Sequence, residues 1–372
     1  MEKHVRLLGT SSYFPGQPIK FDEINDYLGE LEDISEKDKR WIRKIQPIMK
    51  EMLGVEHCYY AFDSETREYF DDCLTMGVKA GKMALEKANL QATDIDLLVY
   101  GGNYSEQMPP LSVRIQEELG IDICTEFHIH SNCTSIYKAI DIATSYIKSG
   151  KNKNALVISS CVTSSFFKPE FYNQQKVTKE DIILRWYLCD GAGAFVLIAA
   201  DNREPGFYIE DSYIESAGGN KKSAMGNSLP AYWNSPLDTY QNGLHHIKQV
   251  YLNQMKGSAH IEEDGKTIFY AALKRMIENK NLNMDELTYL VINMPSKSVR
   301  EYIMNECIEL GISTDKVYSA IEDVGYAGPP AAIISIDRIL KEKTFKDGDM
   351  ILSFVMEVSK FMQAGFTIRY YE

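Results

Sequence analysis

The sequence predicts an α/β protein in which helices cover mainly parallel sheets, assembled from two copies of one unit. Two observations carry that prediction. Apolar periodicity switches along the chain between helical and strand-like stretches, and matched elements recur in the same order in the two halves.

The first pair of matched elements is strand-like. Asp94-Ile95-Asp96-Leu97-Leu98-Val99-Tyr100-Gly101 and Glu286-Leu287-Thr288-Tyr289-Leu290-Val291-Ile292-Asn293 each follow a helical stretch and read as buried strands. Next come Ser112-Val113-Arg114 leading to Glu118-Leu119-Gly120-Ile121, and Ser298-Val299-Arg300 leading to Glu309-Leu310-Gly311-Ile312. Both end on Leu-Gly-Ile, a helix closed by a glycine and a return to the sheet. A helix around 137–149 precedes the strand Ala155–Ile158, and a helix around 331–341 precedes the strand Met350–Ser353. Two chance-alike βαβ units are the alternative, but four matches in one order favour duplication. The overlay needs two extra residues in the second connector and sets Cys133 opposite Tyr326. The polar turn Asn202-Arg203-Glu204-Pro205-Gly206 divides the chain into units 1–205 and 206–372.

Three stretches fall outside the repeat. Residues 34–52 are charged and helical. Residues 165–187 carry Phe166, Phe167, Phe171, Tyr172, Trp186 and Tyr187, and residues 219–260 carry Met225, Tyr232, Trp233 and Tyr240. Long aromatic insertions in a regular α/β chain line a binding tunnel or a subunit interface.

Composition narrows the function classes. With 372 residues, 44% hydrophobic, the chain can bury one or two substantial cores. A net charge of −13 disfavours binding to a nucleic-acid backbone. The first nine residues lack the apolar run of a signal peptide. The longest uncharged apolar run, near Gly191–Ala200, is about half a membrane span. Seven cysteines, odd in number and without CxxC spacing, indicate neither a zinc site nor a disulfide framework. A cytoplasmic protein with reduced thiols, no bound metal and no membrane or nucleic-acid partner is expected.

Cys133 is the cysteine with chemical promise. Phe127-His128-Ile129-His130 alternates as a strand and Thr134 onward reads as a helix, so Cys133 sits at a strand-to-helix junction. A helix N-terminus favours a thiolate, and a thiolate exchanges one thioester for another at little thermodynamic cost. Local chemistry leaves open an ordinary buried cysteine.

The order of several motifs resembles the type III β-ketoacyl-[acyl-carrier-protein] synthases of the thiolase-like superfamily. They are Gly9-Thr10-Ser11-Ser12-Tyr13-Phe14-Pro15, the stretch from Thr75-Met76 to Gly120 with Ala84-Leu85, Ala88 and Pro109-Pro110, and Asp190-Gly191-Ala192-Gly193-Ala194-Phe195-Val196-Leu197. The resemblance implies a thiolase fold, two βαβαβαββ-type halves in five α-β-α-β-α layers. It implies that Cys133 accepts an acyl group from an acyl-CoA or acyl carrier protein thioester, with no permanently bound cofactor, in a homodimer or in a heterodimer with a paralogous synthase. Arg40-Trp41-Ile42 resembles the family's coenzyme A contact, with Trp41 for the adenine and Arg40, Lys39, Arg43 and Lys44 for phosphates. A charged amphipathic helix is the alternative.

The departures are specific. The family pairs its cysteine with a His and an Asn, which stabilise the enolate formed as carbon dioxide leaves. Here Asn293 stands in the His place and Tyr326 in the Asn place, and no histidine follows His260. Both are candidate site residues, with packing as the other reading. Glu357-Val358-Ser359-Lys360-Phe361-Met362 replaces a glycine-rich oxyanion turn. Asn293 cannot carry a proton as imidazole does, and His128 or His130 is a weaker substitute base. The expectation is an acyltransferase working through Cys133, by condensation or simple transfer. The alternatives are a non-catalytic subunit that assists an active paralogue and a hydrolase lacking an evident base.

Overall fold

The computed structural model describes residues 3–103, 108–221, 223–227, 237, 241–242, 247–248, 262 and 265–372. Ten strands make one mixed sheet. The first five are β1 (His4–Tyr13), β2 (Leu97–Gly102), β3 (Thr125–His130), β4 (Asn154–Cys161) and β5 (Gly191–Ala200). The second five are β6 (Gly206–Ser216), β7 (Leu287–Ile292), β8 (Val317–Tyr318), β9 (Met350–Glu357) and β10 (Met362–Tyr371). Across the sheet they run β8-β7-β9-β10-β6-β1-β5-β4-β2-β3.

Each five therefore has the same order: third, second, fourth, fifth, first. In each, the fifth strand is antiparallel to both its neighbours and the others are parallel. The fives join where β1 pairs antiparallel with β6 over Val5–Leu7 and Phe207–Ile209. β9 is buried along its whole length and β4 at every residue after Asn154, as strands of a sheet covered on both faces must be.

The helices complete the correspondence. In the first half α1 (Glu36–Leu53), α2 (Cys73–Ala88), α3 (Leu111–Leu119), α4 (Ser135–Lys148) and α5 (Lys179–Leu184) follow in order. In the second come α6 (Ile268–Asn279), α7 (Lys297–Cys307) and α8 (Ala331–Glu342). α2 and α3 pack Ala84 and Ile115 on Leu98, Leu156 and Val196. α6 and α7 pack Leu273 and Ile303 on Leu290 and Leu352. α4 and α8 share the middle core, where Ile136, Ile140, Ile333 and Ile336 meet Val99, Val157, Val291 and Val355. The two five-strand halves of the sheet, each between helices, give five layers, helix-sheet-helix-sheet-helix, as the sequence leads one to expect of a thiolase fold.

Position in the layers explains the helical sequences. α8 is buried at every residue from Ala331 to Asp337, the pattern of a helix enclosed all round, whereas α1 buries only Ile42, Met49 and Leu53. The Gly191-Ala192-Gly193 run has a packing role: a Cβ on Gly193 would lie 2.6 Å from Ile333 Cγ2, so glycine lets α8 lie directly on β5.

A fourth cluster caps one side of the layers. Phe21, Leu53, Phe62, Phe167, Trp186, Tyr187 and Ile321 form it, with Tyr326 among them and Cys133 packed against it. The aromatic stretch 165–187 thus builds a satellite core beside Cys133. Trp186 Nε1 donates to Asn25 Oδ1 at 3.0 Å, satisfying the indole on burial. Tyr232, Trp233 and Tyr240 lie outside the described residues. No described helix is long and apolar enough to cross a membrane.

Asp190 ties this cap to the sheet. It is fully buried and accepts from Ala61 N at 2.8 Å, Ser164 N at 2.9 Å, Thr163 Oγ1 at 3.3 Å and Ser164 Oγ. Burial pushes its carboxyl up to about 6 in spite of those donors. Asp190→Ala leaves several buried donors unpaired and is expected to cost about 1–3 kcal/mol. The check is a lower urea midpoint with an unchanged m value; an unaltered midpoint contradicts it.

Candidate active site

Strand alternation decides which side chains meet Cys133. On β3, Phe127 and Ile129 pack toward the middle core. His128 faces the outer layer, its ring 5.0 Å from that of Tyr100 and its Nδ1 3.5 Å from Ser112 Oγ. His130 has the same parity and is exposed. After His130 the chain turns through Ser131 and Asn132 into α4, with Thr134 as the N-cap. Cys133 packs where the middle core meets the cap cluster, so both histidines belong to the other face of the sheet.

Tyr326 does reach Cys133. It leaves a short helix, Ile321–Val324, through Gly325 at φ 72°, and precedes α8. A Cβ at position 325 would lie 2.9 Å from Cys189 Sγ and 3.0 Å from the His57 carbonyl. Glycine is therefore required both for the left-handed turn and for the space. Tyr326 is buried, and its hydroxyl is close enough to the Cys133 sulfur for the two to influence each other's ionisation. The duplicated halves bring together the two residues that their overlay sets opposite each other.

The charge environment reverses one expectation. A position at the start of α4 favours a thiolate, yet the thiol of Cys133 is pushed up to about 12. Burial of the sulfur is the largest cause and the Glu357 carboxylate adds to it, outweighing the opposing influence of the Tyr326 hydroxyl. Tyr326 in turn is held well above its ordinary value by burial and by Cys133.

Glu357 ends β9 and lies across the start of α4. Its Oε2 accepts from Thr134 N at 3.0 Å, Ser131 Oγ at 3.0 Å and Thr134 Oγ1 at 2.5 Å, and its Oε1 accepts from Ser359 Oγ at 2.6 Å. Lys138 Nζ donates to the same Ser131 Oγ at 2.9 Å. The sequence does not single Glu357 out as a partner of Cys133. The available signal is an acid closing an otherwise largely apolar strand, Met350–Met356.

Asn293 is committed to the core. Its Nδ2 donates to Tyr137 Oη at 2.7 Å and Ser353 Oγ at 3.4 Å, and its Oδ1 accepts from Ser335 Oγ at 3.1 Å. The amide thereby links β7, α4, β9 and α8, and reaches the site only through Tyr137, whose hydroxyl feels the charge of Cys133. Trp41 lies on α1, partly buried against the cap, with Lys179 Nζ 5.0 Å from its ring centre. Arg40 is exposed beside it. All seven cysteines are free thiols. Among the described residues no group of three or more His, Cys, Asp or Glu is disposed to hold a metal.

Comparison with known proteins points one way. Residues 127–218 match the family model for 3-oxoacyl-[acyl-carrier-protein] synthase III. The chain is 26% identical over 356 residues to the β-ketoacyl-[acyl-carrier-protein] synthase III of Neisseria meningitidis serogroup C, covering 94% of each. It superposes on 3-oxoacyl-[acyl-carrier-protein] synthase III from Aquifex aeolicus with a TM-score of 0.72 at 20% identity, covering 98% of this chain and 100% of that one. An OleA variant of Xanthomonas campestris with bound lauric acid and lauroyl-CoA gives 0.75 at 16% identity, with both chains fully covered. The two structural likenesses establish the fold.

Two measurements test the site as drawn. Below its pKa the thiolate fraction climbs tenfold per pH unit, so iodoacetamide labelling of Cys133 is expected to rise tenfold per unit from pH 7 to 10 without a plateau. A plateau near pH 8 contradicts the raised thiol. Asn293→Leu removes the donor to Tyr137 and the acceptor for Ser335 and is expected to cost about 1–3 kcal/mol in chemical unfolding. It should leave the Cys133 labelling profile in place; a loss of labelling would instead make Asn293 part of the site.

Proposed function

We propose that the chain, which resembles the 3-oxoacyl-[acyl-carrier-protein] synthase III proteins in sequence and fold, is an acyltransferase of that family carrying its acyl group on Cys133. The observation that supports this most is the position of the sulfur. It stands at the head of α4, between the middle core and the aromatic cap, with the Tyr326 hydroxyl near it. The donor is an acyl-CoA or acyl carrier protein thioester; the OleA neighbour holds lauroyl-CoA, which favours a fatty acyl chain. Sγ attacks the thioester carbonyl, the donor's carbon–sulfur bond breaks, and the thiol proton departs with the released thiol. A second substrate then takes the acyl group from Cys133.

Simple transfer is favoured over decarboxylative condensation. Condensation needs free donors on the nascent enolate, and both hydrogens of the Asn293 amide are engaged in the core. Trp41 and Arg40 on α1 are assigned to the coenzyme end of the donor, with Lys179 beside the indole. Among the described residues β3 closes one end of the sheet and pairs only with β2, so its outer edge is suited to pairing with a second subunit, a copy or a paralogue. The repeated strand order supports units at 1–205 and 206–372, and seven free thiols fit a reducing cytoplasm.

A second reading has its own support. A thiol held near 12 is ionised at pH 7 only on the order of one part in 10⁵, which fits an assisting subunit paired with an active synthase. Intact-mass analysis after incubation with acyl-CoA and acyl carrier protein thioesters separates the two. The acyltransferase reading expects a single acyl adduct that Cys133→Ala abolishes; no adduct with any donor leaves the assisting subunit. With carboxyl-labelled malonyl thioester, release of labelled carbon dioxide would overturn the preference for simple transfer.

A further inference from the structure

We propose that Glu357 is a positioning residue that keeps Cys133 in its thiol form by occupying the N-terminal end of α4 with a carboxylate. The inference deepens the acyl-enzyme reading and rests on it only for the identity of the nucleophile. A helix start offers unsatisfied amides to negative charge. Here the amide next to the nucleophile, Thr134 N, is already bonded to Glu357 Oε2, as are the hydroxyls of Thr134 and Ser131. The donors that would steady a thiolate, or the oxyanion of an attacked thioester, are thus spent on a fixed anion about one residue away.

The remaining groups around the sulfur offset it only in part: the Tyr326 hydroxyl and the Cys133 amide favour the thiolate but are outweighed by burial and Glu357. Tyr326 and Tyr137 are buried phenols and Cys161 is a buried thiol, each close enough to feel the charge of Cys133. Lys138 spends its ammonium on Ser131 Oγ and Met362 Sδ. Glu357 is itself held from both sides, with Ser359 on its second oxygen, so it is a built element of the loop. Acylation becomes conditional on this carboxylate: drawing it off Thr134 frees that amide to face the thioester oxygen.

The test reads Cys133 directly by peptide-resolved iodoacetamide labelling across pH 6–10, without any acyl donor. A chain that takes up no acyl group therefore still passes or fails on its own. Glu357→Gln keeps the shape and removes the charge. It is expected to raise labelling at pH 8 at least tenfold, while Glu357→Asp stays within about threefold of the parent. An unchanged profile in a folded Glu357→Gln protein, checked by circular dichroism, overturns the proposal. If that variant does not fold, the parent protein decides with two reagents of opposite character. A carboxylate beside the sulfur disfavours iodoacetate, so iodoacetamide should outpace it at Cys133 at least tenfold beyond their ratio on a free cysteine peptide. Equality with the peptide ratio overturns the proposal.

Discussion

The middle helical layer is the constraint on which the site depends. α4 and α8 occupy the same relative place in the two halves and lie together between the sheets, so the segments leading into them converge on one side. One of those segments carries Cys133 and the other Tyr326. Glycine at 193 lets α8 approach β5, and glycine at 325 turns the chain toward the sulfur. The approach of Cys133 and Tyr326 is therefore a consequence of the duplicated architecture, because any change in the seating of α8 moves Tyr326 relative to α4.

Much of the architecture was legible because it is periodic. Buried runs such as Leu97–Gly102 and Leu287–Ile292 are local patterns, and their repetition supplied the layer plan. The approach of Cys133 and Tyr326 was accessible by overlay, since equivalent positions in duplicated halves meet at the axis relating them. The aromatic stretch 165–187 was only half legible. Its hydrophobicity predicts burial, but that it packs on 21–62 and 320–334 to make a cap is a long-range fact.

The electrostatics of the site was not legible, for a definite reason. A helix start next to a cysteine argues for a thiolate, and the rule fails here first because the sulfur is buried and then because an acid from 223 residues further along the chain fills the place. Nothing in the sequence near Cys133 announces Glu357. Asn293 illustrates the same limit: the resemblance marks its position in the sequence, while its bonds to Tyr137, Ser353 and Ser335 emerge only once four elements are packed. Asn293 keeps its amide in the core, and Glu357 keeps a carboxylate at the start of α4.

Cys133 is proposed as the acyl carrier, restrained in reactivity by its neighbours. The most direct test of that account is to expose the unmodified chain to acyl thioesters, digest it, and locate by tandem mass spectrometry the hydroxylamine-labile acyl group among its seven cysteines. The account predicts the label on the Cys133 peptide alone. Label distributed over other cysteines, or absent from Cys133, would contradict it.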